Sequence, residues 1–125
     1  MVRVLVADDH DAFLDAARAV VAATPDCELI AEARSGEEAV ALALALAPDV
    51  VVLDVNMPGL GGLEAARRIL STRPATRALL VSTYANADVP AAVKRSGAAY
   101  LHKQDFGPRA LTATALGRGA GAPSR

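Results

Sequence analysis

The chain has 125 residues, a hydrophobic fraction of 53% and a formal net charge of −1. This length and apolar content fit one domain with a sizeable core, and the charge gives no basic field that would favour nucleic acid or an anionic membrane. No apolar run approaches the roughly 20 residues that span a bilayer, and the chain enters a strand at once, leaving no room for a signal peptide. The single cysteine, Cys27, cannot form an internal disulfide, so we expect a cytoplasmic protein.

Five strand candidates alternate with five helix candidates along the chain. Val2–Ala7 and Asp49–Asp54, the first and third strands, are short, mostly apolar runs rich in valine, typical of strands buried on both faces of a parallel sheet. Cys27–Ala33, the second strand, alternates charged with apolar residues, which is typical of an edge strand. The fourth and fifth strands are predicted at Ala78–Ser82 and Ala98–Leu101.

The helix candidates are indicated by apolar spacing, caps and prolines. The second helix opens with the capping box Ser35-Gly36-Glu37-Glu38 and runs until Pro48. The fifth begins with a proline at its first position, where the missing N–H costs nothing. The five helices are predicted at Ala12–Ala23, from Ser35 to Pro48, at Gly62–Thr72, at Asp88–Arg95 and at Pro108–Leu116.

This alternation predicts right-handed βαβ units and a parallel sheet with helices on both faces. With the second strand at the edge and the first and third in the centre, the strand order is 2-1-3-4-5. The fold class is therefore a doubly wound (βα)5 sandwich. Residues 1–117 are predicted to form one domain, and the glycine-rich residues 118–125 a flexible tail or linker.

Three carboxylates follow the two central strands. Asp8 and Asp9 come after the first strand, and Asp54 closes the third. In such sheets, ligands bind beyond the carboxyl ends of the strands, at the point where the strand order switches. Carboxylates packed together repel and raise one another's pKa values, so a hard cation is expected to offset the repulsion. Magnesium suits this site, because it takes one or two carboxylates together with waters and a phosphate.

Four segments, each at the end of a different strand, carry a family resemblance. The chain resembles the receiver domain of two-component response regulators over about Val2 to Leu116, which implies the flavodoxin-like fold known as CheY-like. Gln104 stands where many receivers have proline; with serine as the switch hydroxyl, this favours the subfamily that carries a C-terminal helix-turn-helix DNA-binding domain. The four segments are Ala7-Asp8-Asp9-His10, Leu53-Asp54-Val55-Asn56-Met57-Pro58-Gly59, Val81-Ser82 and Tyr100-Leu101-His102-Lys103.

The resemblance implies roles for the acidic residues. Asp54 corresponds to the phosphoacceptor, whose carboxylate attacks phosphorus to form an acyl phosphate. Asp9 corresponds to a direct magnesium ligand and Asp8 to the residue that holds a metal-bound water, while Asn56 contributes its backbone carbonyl. His10 follows the acidic pair, but magnesium disfavours imidazole, so we expect a helix-start residue.

The remaining two segments imply a switch. Lys103 would pair with Asp54 and later with a phosphoryl oxygen. Ser82 corresponds to the switch hydroxyl, with Thr83 as the competing candidate, and Tyr100 to the aromatic residue that moves when the hydroxyl shifts. The stretch from Ser82 to Lys103 is one residue shorter than is usual in the family, which leaves the end of the fourth helix and the register of the fifth strand open.

The resulting hypothesis is a signalling switch rather than an enzyme. A sensor histidine kinase would phosphorylate Asp54 with magnesium and thereby change the surface of helix 4, strand 5 and helix 5. Homodimer formation is possible, and DNA would be reached only through an effector domain absent from this chain; no membrane partner is expected.

A phosphohydrolase is disfavoured, because Asn56 stands where its acid–base Asp would be. The alternative is a pseudo-receiver, an interaction module that would normally lack Asp9, Asp54 or Lys103.

Overall fold

The computed structural model describes residues 1–83 and 91–117. None of the helices in this part of the chain is both long and apolar enough to cross a membrane. The elements in chain order are β1 (Val2–Ala7), α1 (Asp11–Ala23), β2 (Cys27–Ala33), α2 (Gly36–Leu46), β3 (Val50–Asp54), α3 (Gly62–Thr72), β4 (Arg77–Ser82), α4 (Ala91–Lys94), β5 (Ala99–His102), a 3-10 turn (Lys103–Asp105) and α5 (Pro108–Ala115).

The five strands form one parallel sheet in the order β2-β1-β3-β4-β5. This confirms the predicted doubly wound sandwich and its topology. Every residue of β3 is buried, whereas β2 lies at the edge and is mostly half-buried. The alternation of charged and apolar residues in β2 therefore reports its edge position, because the solvated face of an edge strand accepts charge.

The sheet separates two apolar cores. Successive side chains of a strand point to opposite faces, so Val51 and Leu53 of β3 enter one core and Val50 and Val52 the other. The first core also contains the buried alanines of α2 and α3, and the second contains buried residues of α1 and α5. Fully burying such a side chain contributes about 1.5–3 kcal/mol, so these contacts fix the helices on the sheet.

The ends of α2 follow local sequence rules. The hydroxyl oxygen of Ser35 accepts a hydrogen bond from the N–H of Glu38, as the capping box predicts. The Glu38 carboxylate reaches one residue further back than predicted and accepts from the N–H of Arg34. At its other end the helix stops at Leu46, and Ala47 adopts a left-handed φ of 51° just before Pro48. Proline disfavours helical backbone in the preceding residue.

The fifth strand begins and ends one residue later than predicted. The hydroxyl of Ser96 accepts from the N–H of Ala98, and Gly97 has a φ of 83°, so Ala98 belongs to a turn. The resulting register pairs Ser82 with His102. The predicted start of the fourth helix at Asp88 and the predicted tail at residues 118–125 lie outside the described residues.

Candidate functional site

The carboxylates of Asp8, Asp9 and Asp54 meet at the carboxyl edge of the sheet. Ala7 of β1 pairs with Leu53 of β3, so the residues that follow them stand at the same level. Ligand atoms of the three carboxylates and of His10 lie within 4.8 Å of one another. Asp8 is fully buried and Asp54 is 3% exposed, whereas Asp9 reaches the solvent.

The environment of Asp54 makes its ionised form costly. Burial is the main cause that raises the pKa of Asp54 from 3.8 to about 6, and the negative charges of Asp8 and Asp9 add to it. The ammonium of Lys103 and the backbone N–H of Asn56 act in the opposite direction and lower this pKa. At neutral pH Asp54 is therefore mostly ionised, but it is held in a site that already contains excess negative charge.

Lys103 enters this site from the end of β5. Its ammonium nitrogen lies 2.6 Å from Oδ2 of Asp8 and 3.6 Å from Oδ1 of Asp54, and the side chain is only 14% exposed. The sequence predicted the pair with Asp54 but not the closer pair with Asp8. One ammonium thus bridges the two buried carboxylates, which offsets part of their repulsion.

An aromatic contact that sequence reasoning missed also holds Lys103. The ammonium lies 4.9 Å from the ring centroid of Phe13, and that ring is 5.7 Å from the ring of Phe106. A cation over an aromatic face is stabilised by the ring quadrupole. The chain has only two phenylalanines, and the rarity of this residue was the one signal in the sequence.

His10 is the N-cap of α1, as predicted for a helix-start residue. Its backbone N–H donates to Oδ1 of Asp8 at 2.9 Å. Its ring Nδ1 lies 2.9 Å from the same oxygen and 3.2 Å from Oδ1 of Asp9. The imidazole therefore stands beside the acidic cluster at its solvent side, with 64% of the side chain exposed.

The donor set at this edge fits a hard divalent cation. Three carboxylates converge there, and Lys103 supplies one positive charge. Carboxylate oxygens suit magnesium, calcium or manganese in preference to softer metals. Asn56 lies two residues beyond the end of β3, at the same edge, where the family resemblance implied its backbone carbonyl as a further donor.

A hydroxyl pair joins the carboxyl end of β4 to β5. Ser82, the last residue of β4, is fully buried, and its Oγ is 2.5 Å from the hydroxyl oxygen of Tyr100. The Tyr100 ring packs against the first core. Thr83, the competing candidate, is exposed, because adjacent side chains of a strand point to opposite faces. Ser82 is therefore the hydroxyl that reaches Tyr100.

Comparisons with known proteins agree with this geometry. The family model for the response regulator receiver domain matches residues 4–115. The chain belongs to the response regulator receiver domain family.

The matched relatives of this receiver domain are longer than the region they share with it. The chain is 39% identical over 104 residues to response regulator GacA of Pseudomonas viridiflava, covering 82% of this chain and 49% of GacA. It is 32% identical over 104 residues to transcriptional regulatory protein DegU of Brevibacillus brevis, covering 82% of this chain and 44% of DegU. The receiver domain thus spans about half the length of the curated relatives it matches.

A solved structure shows the same fold along nearly the whole receiver domain. The signal receiver domain of the NarL response regulator from Mycobacterium tuberculosis is 33% identical and superposes with a TM-score of 0.84, covering 94% of this chain and 98% of that chain. A two-component response regulator of the LuxR family from Aurantimonas sp. SI85-9A1 is 30% identical, with a TM-score of 0.83 and coverage of 94% and 86%.

Close backbone packing shapes the loop that follows β3. A Cβ at Gly62 would lie 2.1 Å from the carbonyl oxygen of Asp54, so only glycine lets α3 start this close to β3. The carboxylate of Glu37 accepts from the N–H of Leu60 at 3.1 Å, and this bond holds the pKa of Glu37 below its usual value. Sequence reasoning assigned Glu37 only to the capping box, because nothing local indicates a contact 23 residues away.

Proposed function

We propose that this receiver domain accepts a phosphoryl group on Asp54 from the phosphohistidine of a sensor histidine kinase, in a magnesium-dependent reaction. The observation that carries the proposal is the position of Asp54: it is a buried carboxylate 3.6 Å from the ammonium of Lys103, at the edge of the sheet where Asp8 and Asp9 also lie.

The acidic cluster supplies the metal ligands in this proposal. Asp9, Asp54 and the backbone carbonyl of Asn56 would hold Mg²⁺ directly, and Asp8 would hold a water bound to it. When bound, the ion supplies positive charge that lets a dianionic phosphoryl donor approach and stabilises the charge of the transition state. At this site, three carboxylates of the described residues converge with one ammonium group, and this excess of negative charge supports the assignment.

The residues of the chain then have distinct tasks. An ionised oxygen of Asp54 attacks phosphorus, and the new O–P bond forms as the P–N bond of phosphohistidine breaks. A proton on the other ring nitrogen of the phosphohistidine lets its imidazole leave in neutral form. Lys103, which already lies near this oxygen, would pair with an oxygen of the transferred group. The ion pair with the Asp8 carboxylate and the contact with the Phe13 ring hold the ammonium in place for this interaction.

The hydrogen-bonded pair of Ser82 and Tyr100 would transmit the change. The transferred group offers new acceptor oxygens to the Ser82 hydroxyl, and any movement of that hydroxyl is coupled to Tyr100 on β5. Phosphorylation shifts the population of α4–β5–α5 arrangements only by its differential interaction with them. Dimerisation through α1 and α5 or through α4 and α5 stays a prediction.

The output belongs to a larger protein in this proposal. GacA and DegU are about twice as long as the matched region, and DegU is described as a transcriptional regulatory protein. We infer a cytoplasmic regulator in which residues 1–117 form the receiver and residues 118–125 lead to a helix-turn-helix domain that contacts DNA. A pseudo-receiver is disfavoured, because Asp9, Asp54 and Lys103 are all present and close together.

Intact-mass measurement tests the phosphorylation. Incubation with a small acyl-phosphate donor and magnesium should add one acid-labile phosphoryl group to the wild-type protein. Asp54→Asn should take up none, whereas Asp105→Asn, which changes an exposed carboxylate at the same edge, should behave like the wild type. Unchanged uptake by Asp54→Asn, or no uptake by the wild type, would contradict the proposal.

A further inference from the structure

The ring of His102 joins two chain segments through both of its nitrogens. Nδ1 accepts a hydrogen bond from the N–H of Gln104 at 3.2 Å, which makes His102 the side-chain N-cap of the 3-10 turn. Nε2 lies 3.1 Å from the carbonyl oxygen of Thr83. Because Nδ1 accepts, the proton of a neutral ring lies on Nε2, and this N–H donates to Thr83.

The two segments are those that carry the switch hydroxyl and the ammonium. Thr83 directly follows Ser82, and Gln104 directly follows Lys103. In the register of the sheet, Ser82 pairs with His102 as the last pair between β4 and β5. The imidazole therefore extends the connection between these strands by one residue, beyond the point where backbone pairing ends.

We propose that His102 is a positioning residue for phosphoryl acceptance: it orients the turn that carries Lys103 and ties that turn to the segment after Ser82. This inference rests on the proposed function. Among the described residues, the His102 ring bonds to Thr83 and Gln104 and not to Asp8, Asp9 or Asp54; it acts through the backbone from which Lys103 extends. A long, flexible lysine reaches two carboxylates and an aromatic ring only if its backbone is held, and the cap holds it.

Two isosteric variants separate the two halves of the bridge. Asparagine places an oxygen where His102 has Nδ1 and is among the best N-caps, but it has no atom at the Nε2 position. Glutamine places an N–H at the Nε2 position and no acceptor at the Nδ1 position. His102→Asn therefore keeps the cap and loses the bond to Thr83, His102→Gln does the reverse, and His102→Ala loses both.

The test measures the rate of phosphoryl uptake from a small acyl-phosphate donor at saturating magnesium, together with the magnesium affinity and the Tm. We expect His102→Ala to slow uptake about ten-fold, with each half-variant in between, since small misplacements of a reacting group cost rate steeply. Magnesium affinity should stay within about two-fold, because the His102 ring bonds to backbone groups of Thr83 and Gln104 rather than to the carboxylates of the acidic cluster.

A control variant separates positioning from lost stability. Thr76→Val removes a buried hydrogen bond from the Thr76 hydroxyl to the carbonyl of Pro48, at the opposite edge of the sheet. It should lower the Tm without slowing uptake. An equal loss of rate in Thr76→Val and His102→Ala would overturn the positioning role.

Nitrogen NMR of the imidazole tests the bridge without any phosphorylation. The chain has two histidines, so the His102→Asn spectrum identifies the His102 signals. We expect an unprotonated Nδ1 and a protonated Nε2. A proton on Nδ1, or wild-type uptake rates in His102→Ala, would overturn the proposal. No uptake by the wild-type protein would instead overturn the proposed function, whatever the NMR spectrum shows.

Discussion

Asp54→Asn should stabilise the metal-free protein at neutral pH. The folded protein holds the pKa of Asp54 at about 6, against an ordinary 3.8, through burial and the charge of Asp8. The folded state therefore binds this proton more tightly than the unfolded state, and stability is lost as the pH rises from about 4 through about 6. At about 1.4 kcal/mol per pH unit, the ionised carboxylate costs the fold about 3 kcal/mol above this window.

Urea unfolding followed by far-UV circular dichroism checks this figure, with a chelator present. The excess stability of Asp54→Asn over the wild type should approach about 3 kcal/mol at about pH 7.5 and shrink markedly at about pH 5. Glu28→Gln, which neutralises an exposed carboxylate on β2, should change the unfolding free energy by less than about 0.5 kcal/mol at both pH values. The reasoning fails if Asp54→Asn is no more stable than the wild type at neutral pH, or if its advantage does not depend on pH.

Three further predictions concern the same edge of the sheet. Millimolar magnesium should raise the Tm of the wild type by relieving carboxylate repulsion, and a thermal melt of Asp9→Ala should show a smaller rise; equal rises would count against the metal site. Gly62→Ala should cost more than about 2 kcal/mol in denaturant unfolding, because its Cβ would lie 2.1 Å from the Asp54 carbonyl oxygen, whereas Gly107→Ala, with no heavy atom within 4 Å, should cost at most about 1 kcal/mol. Tyr100→Phe should lower the unfolding free energy by about 1 kcal/mol, because it removes the bond to the Ser82 hydroxyl of β4, yet it should keep phosphoryl uptake in the mass assay; loss of uptake would mean that the ring hydroxyl acts in the chemistry.

The sequence by itself determined the elements, their order and the edge where the site forms. Mostly apolar runs identified β1 and β3 as central strands, and charge alternation identified β2 as an edge strand, because burial on one or two faces determines which residue types a strand carries. Parallel strands present their carboxyl ends on one side, so the sequence alone placed Asp8 and Asp54 together.

Only the tertiary structure decided which side chains touch within that edge. The start of β5 depends on the turn at Gly97, and its register in turn places His102 opposite Ser82. The closer pairing of Lys103 with Asp8, and its position over Phe13, likewise join residues that are far apart in the chain. Such contacts are set by strand register and by the length of the side chains, and neither of these produces a periodic pattern in the sequence. Burial does produce such a pattern, which is why the elements could be predicted.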